Sequence, residues 1–172
     1  QTGSNAAIFL LQNIQGKNTH VQIKDSSKSL SVFLDNLSAD TMATRTGNKI
    51  HLANLSASGK ELDFQNGSDQ IQIGQFRFTD KKSSTFRDLI YKRNNTFDSI
   101  LVFAPQMETD PDINQIIDGK ITAGLIKLSR PVFKIKLSGN SSGNVTNTGW
   151  PQTEGAQLII EEPTVTYLKS TT

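Results

Sequence analysis

The stretch Ile71-Gln72-Ile73-Gly74-Gln75-Phe76-Arg77-Phe78 decides the fold. Apolar and polar residues alternate in it, the period of a β-strand with one dry face and one wet face. The parity changes in the middle, because Ile71 and Ile73 are followed by Phe76 and Phe78. A strand that keeps one face dry across such a change has to bulge or bend, and Gly74 stands at the point where it would.

The same phrase recurs along the chain. Two apolar residues two apart, then Asn or Gln, then another apolar residue are found as Phe9-x-Leu11-x-Asn13-Ile14, Val32-x-Leu34-x-Asn36-Leu37, Ile50-x-Leu52-x-Asn54-Leu55 and Ile71-x-Ile73-x-Gln75-Phe76. The starts lie 23, 18 and 21 residues apart, the length of a strand pair with its turns, so the pattern predicts an antiparallel meander. Leu37-Ser38-Ala39 and Leu55-Ser56-Ala57 continue two of the copies alike.

Two short helices are expected to interrupt the strands. In one, Ser84 or Thr85 caps a turn in which Phe86, Leu89 and Ile90 share a face and Lys92 and Arg93 complement the C-terminal end. The other runs from Pro111 through Ile113, Ile116 and Ile117 to a C-cap at Gly119. Ile121 to Leu128 and Phe133-x-Ile135-x-Leu137 then read as a strand pair around Pro131, which marks an edge or a bend. Residues 138–155, rich in Gly, Ser, Asn and Thr, read as a long flexible loop carrying Trp150. A last strand, Gln157 to Ile160 with Val165 to Leu168 beyond Pro163, is expected to pack back on the sheet. The expected fold class is mainly β: an antiparallel, strongly twisted meander, or elongated groove-like sheet, in one β-rich domain over residues 1–172.

Composition agrees with strands that keep one face wet. Only 35% of the 172 residues are hydrophobic and 20% are charged, while Ser, Thr, Asn, Gln and Gly are abundant. The absence of cysteine excludes a disulfide framework and a thiolate metal site. A net charge of +2 gives no global field toward nucleic acid or anionic lipid. No apolar run is long enough for a membrane helix, and a start at Gln1 reads as an excised or processed piece of a longer chain.

Catalytic and metal chemistry find no anchor. His20 and His51 occupy polar strand positions without ligand partners at metal spacing, and no Gly-x-Ser-x-Gly elbow occurs. Asp110-Pro111-Asp112-Ile113-Asn114 opens like a calcium loop, but Gln115 stands where such a loop needs glycine and Ile121 where it needs glutamate. It reads instead as an acidic helix start. Lys81, Lys82, Arg87, Lys92 and Arg93, interleaved with Phe86, Tyr91 and Phe97, resemble a nucleic-acid or headgroup surface and read more simply as a solvated face. Ser138-Gly139-Asn140-Ser141-Ser142-Gly143 lacks the lysine of a phosphate loop. The chain is expected to be no enzyme, to need no cofactor or metal and to bind no nucleic acid.

The strand phrases Leu30 to Ala39, Lys49 to Ala57 and Asp69 to Phe78, with Tyr91-Lys92-Arg93, Asp98 to Val102 and above all Asp112 to Leu137, resemble the AsmA-like and TamB-like proteins of Gram-negative envelopes. The most typical part is Ile121-Thr122-Ala123-Gly124-Leu125-Ile126-Lys127-Leu128-Ser129-Arg130-Pro131-Val132-Phe133-Lys134-Ile135, a strand, a short link, a proline and another strand. The resemblance covers residues 30–137 and contains no invariant motif. It implies a periplasmic, non-enzymatic segment with an inner-membrane anchor outside this sequence, whose elongated sheet curls into an apolar groove for lipid transport or outer-membrane biogenesis. On that reading acyl chains are the partners, and Val32, Leu34, Ile50, Leu52, Ile71, Ile73, Phe76 and Phe78 line the groove or fill a core. The rival expectation is a secreted or surface β-sandwich that binds carbohydrate or protein through Trp150, Tyr91 or Tyr167 and the loop 138–155.

Overall fold

A computed structural model describes residues 10–26, 28–45, 49–94, 98–114, 123–138 and 157–170. They form one mainly antiparallel open sheet of eleven strands: β1 (Leu10–Lys24), β2 (Lys28–Arg45), β3 (Lys49–Ala53), β4 (Ser56–Asn66), β5 (Asp69–Thr79), β6 (Ser84–Asn94), β7 (Ser99–Pro111), β8 (Ala123–Ser129), β9 (Val132–Ser138), β10 (Gln157–Glu161) and β11 (Thr164–Ser170). The expected meander runs from β1 to β7, each strand antiparallel to the next along the sheet. Asn66-Gly67-Ser68-Asp69 closes one hairpin, with Gly67 at φ 58° as a primed two-residue turn requires. Among the described residues no helix is long and apolar enough to cross a membrane.

Three pairs of strands are pieces of single rows. β3 and β4 both pair with β2, one beyond the other, with Asn54 and Leu55 between them. β8 and β9 likewise lie end to end along β7, so the strand pair expected around Pro131 is one strand broken at Arg130-Pro131. β10 and β11 repeat that break at Glu162-Pro163 and lie parallel to β8 and β9, Gln157 opposite Leu125 and Ser170 opposite Ser138. The tail thus packs back on the sheet, but as a parallel row. Hydrogen bonds from Arg130 N to Glu161 O and from Thr164 N to Pro131 O, each 2.8 Å, carry the pairing through the break.

The expected helix over Ser84 to Arg93 is strand β6. Its misleading feature was the three-residue step from Phe86 to Leu89, which suits a helical face. Here the step is a parity change, because Asp88 adopts a left-handed φ of 53°. Ser84 caps no helix either: its Oγ accepts from Thr79 N at 2.9 Å and donates to Thr79 O and Lys82 O, closing the β5–β6 turn. The second expected helix does not start at Pro111, which ends β7; Ile113 and Asn114 are helical, and residues 115–119 lie outside the described residues, as do Phe9 and residues 139–155 of the expected loop.

Left-handed residues align across the sheet. Glu61, Asp88, Arg130 and Glu162 have φ between 49° and 53°. They occupy one line across the strands, with Gly74 opposite Glu61 and Asp88, and Pro105 opposite Asp88 and Arg130. In β1 and β2 the matching interruptions, Asn18 and the bulged Asp35, lie opposite each other but are offset along β2 from Glu61, which lies beside Val32, and the β2–β4 register shifts at both places. A second line runs through Asn13, Asp40 and Asn54, the two asparagines at φ 54° and 53° and the Asn54 amide donating to Asp40 at 2.7 Å. Each interruption bends its strand, and in register the bends add into a crease across the sheet. Pro105 is tolerated in an interior strand because it falls on that line.

Candidate functional site

The creases keep one face apolar from end to end. Each strand changes parity where it crosses a crease, so Ile73 and Phe76, Leu89 and Phe86, and Ala104 and Met107 stay on the same side. Among the described residues, those that are buried belong to this side: Val32, Ala39, Leu55, Gly59, Ile73, Ser84, Ala104, Thr109, Pro111 and Pro131. The opposite side carries Gln70, Gln72 and Asp63, whose amide–carboxylate hydrogen bonds measure 3.1 to 3.3 Å, and the exposed Lys60, Gln75, Arg77 and Arg87.

The residues expected to line a groove are brought together on the apolar side. Val32 and Ile73 are buried, while Leu34, Leu52, Ile71, Phe76 and Phe78 are half-buried. Pairing links them across strands: Leu34 faces Gly59, which faces Phe76, and Ala57 faces Phe78. Of Ile50 only the backbone, opposite Thr44, is described. Sequence reading missed much of the same face. Phe64, Tyr91, Val102 and Phe133 extend the expected Ile71 into one ladder across five rows. Their signal was broken where Glu61 in β4, Asp88 in β6, Pro105 in β7 and Arg130 ahead of β9 interrupt the simple alternation.

Polar groups punctuate this face at one end. Asp69 accepts from Arg93 Nε at 2.7 Å, from Arg93 Nη2 at 3.0 Å and from the Tyr91 hydroxyl at 2.7 Å. The Arg93 hydrogen bonds hold the Asp69 carboxyl below its usual range despite partial burial, and burial together with the Asp69 carboxylate pushes the Tyr91 phenol well up. The cluster is a neutralised ion pair that lets polar groups sit on an apolar surface. The strand also divides the basic set read from sequence, since Arg93 and Tyr91 lie on the apolar side and Arg87 and Lys92 on the other.

The carboxylates of the calcium-like segment are committed to backbone. Asp110 Oδ1 accepts from Leu125 N at 2.7 Å, Asp112 Oδ1 from Asn114 N at 3.0 Å, and Asp112 also pairs with Lys81 at 3.5 Å. Ile113 N donates to Asp80 at 2.9 Å. Asn114 then pairs with the edge of β3, accepting from Leu52 N and donating to Leu52 O, both at 2.8 Å. Among the described residues no three His, Asp or Glu gather as metal ligands. His20 stacks on Phe33 with centroids 4.1 Å apart and shares a 3.0 Å hydrogen bond with Ser31.

Among the described residues all eleven strands belong to one open sheet and not to the two facing sheets of the expected sandwich. Of its sugar-stacking candidates, Trp150 lies outside the described residues, Tyr91 is bound to Asp69, and Tyr167 is an edge residue 56% exposed. Comparison with family models, curated proteins and solved structures finds no match for this chain.

Proposed function

We propose that this chain is a non-enzymatic periplasmic segment of an AsmA-like envelope protein that holds acyl chains against its creased apolar face, in lipid transport or outer-membrane biogenesis. The observation that carries the reading is the continuity of that face: strand after strand restores the same apolar side at the crease. A single-layer sheet gains stability by covering such a surface, and an acyl chain covers it without needing a hydrogen-bond partner. The creases run across the strands, so a groove formed by them crosses every row and suits a long, flexible, apolar ligand.

The test is native mass spectrometry of the purified chain, followed by organic extraction and lipid analysis. Phospholipid or fatty acid at near stoichiometric level, lost in Ile71→Asp and Phe76→Asp variants that retain β circular dichroism, is the expected result. A bare protein mass that stays unchanged after incubation with phospholipid vesicles would sink the proposal.

A further inference from the structure

The polar side carries a basic corner that the acyl-binding reading does not use. Along one row, Lys92 of β6, Leu101 of β7 and Lys134 of β9 are neighbours, and along the row beyond it Asn94, Ser99, Lys136 and Leu168 follow one another. These residues line an open cleft of about 330 Å³. No carboxylate lines it. Lys134 and Lys136 are exposed and Lys92 is half-buried. None of the three is in an ion pair with a described residue. Asp98, the acid that precedes the cleft residue Ser99 in the chain, is already engaged. Leu168 stands 58% exposed beside Lys136, on the last row of the sheet.

We propose that this corner docks the sheet on the surface of a bilayer containing anionic phospholipid, the lysines meeting headgroup phosphates and Leu168 entering the interface. Strand geometry sets Lys92 and Lys134 two rows, or about 10 Å, apart. Their charges are therefore spread over several headgroups instead of converging on one small anion. Ammonium groups on flexible stems suit that role, because they act as point charges without a fixed bidentate geometry. An exposed leucine among them is costly in water and favourable at the headgroup boundary. The surface lies opposite the acyl-binding face, so a docked sheet keeps that face free.

The test is flotation of the full chain with vesicles of phosphatidylglycerol and phosphatidylcholine in equal amounts, and with phosphatidylcholine alone. Binding to the anionic vesicles only, weakened as salt rises, is the expected result. Replacing one lysine by glutamine should weaken binding about fivefold, and Lys92→Gln/Lys134→Gln/Lys136→Gln roughly 100-fold. Leu168→Asn should weaken it further. A control that neutralises Lys17, Lys24 and Lys28, exposed at the opposite edge, should bind like the parent. Equal binding to both vesicle types would place docking on the apolar face and overturn the proposal. So would an unchanged triple variant, an equal loss in the control, or glycerol phosphate displacing the vesicles at the concentration at which it binds the corner. Extracted lipid and vesicle flotation are read separately, so failure of the corner and failure of the acyl-binding reading are distinguishable.

Discussion

Asp88 stands over Gly74: a Cβ placed at Gly74 would lie 3.0 Å from both the Asp88 Cβ and its Oδ2. The contact lies on the main crease, where left-handed Asp88 faces a residue with no side chain. Gly59 is tighter still, its added Cβ falling 2.0 Å from the Phe33 carbonyl oxygen, a backbone atom that cannot rotate away. Gly74→Ala should therefore cost about 1 kcal/mol and Gly59→Ala about 3 kcal/mol or more. Urea unfolding followed by circular dichroism checks the order, and equal effects at the two sites would contradict it.

Glu61 holds φ 53° without the short polar side chain that eases this conformation in Asn or Asp. Glu61→Asn should stabilise by roughly 0.5–1 kcal/mol, since Asn tolerates the left-handed region better and keeps the unfolded chain similar. Asp88→Val should destabilise by about 2 kcal/mol, because a β-branched residue there is strained. Thermal melts of both variants test the pair. A stabilising Asp88→Val would mean that the crease does not depend on its left-handed residues.

The strands and the parity change were legible because both follow from the two-residue period, and the phrase around Gly74 and Gln75 placed the bend correctly. Two of the amides in the repeat, Asn13 and Asn54, prove to be the left-handed residues themselves. The repeat was not one series, however. The copies at Asn13 and Asn54 mark one crease, and those at Asn36 and Gln75 follow residues of the other. Within β6 the same device misled, because a parity change separates Phe86 from Leu89 by a helical spacing. The parallel packing of the tail was illegible, since direction and partner depend on contacts remote in sequence. Its trace is the matching proline of Arg130-Pro131 and Glu162-Pro163, which pairing places side by side.

The Asp69–Arg93–Tyr91 cluster gives stability a window in pH. Arg93 depresses the Asp69 pKa, so its stabilisation is present above the unfolded value of about 4 and fades as pH falls through the lower folded value. Tyr91 has the opposite sign. Its pKa is raised, first by burial and then by its hydrogen bond to Asp69, so its stabilisation is full below the unfolded value near 10 and fades as pH rises. Tyr91→Phe should flatten the alkaline limb of stability against pH, and Arg93→Gln the acid limb. Unfolding midpoints measured from pH 2 to pH 11 decide this, and parallel curves for parent and variants would exclude the cluster as their source.

Asn114 substitutes for a β-strand at the edge of β3, presenting one acceptor and one donor to the backbone of Leu52 at 2.8 Å each. A short edge strand is held weakly, and Leu52 belongs to the apolar face on the far side of the second crease. Losing both hydrogen bonds should cost roughly 1–3 kcal/mol locally, because part-buried backbone groups would lose their partners. Asn114→Ala should therefore speed amide exchange at Leu52 about 10- to 100-fold while leaving exchange in β5 and β6 unchanged. Asn114→Asp retains the acceptor but loses the donor, and should fall between alanine and the parent. Uniform acceleration through the whole sheet would instead show that β3 opens only with global unfolding, and that Asn114 is no separate latch.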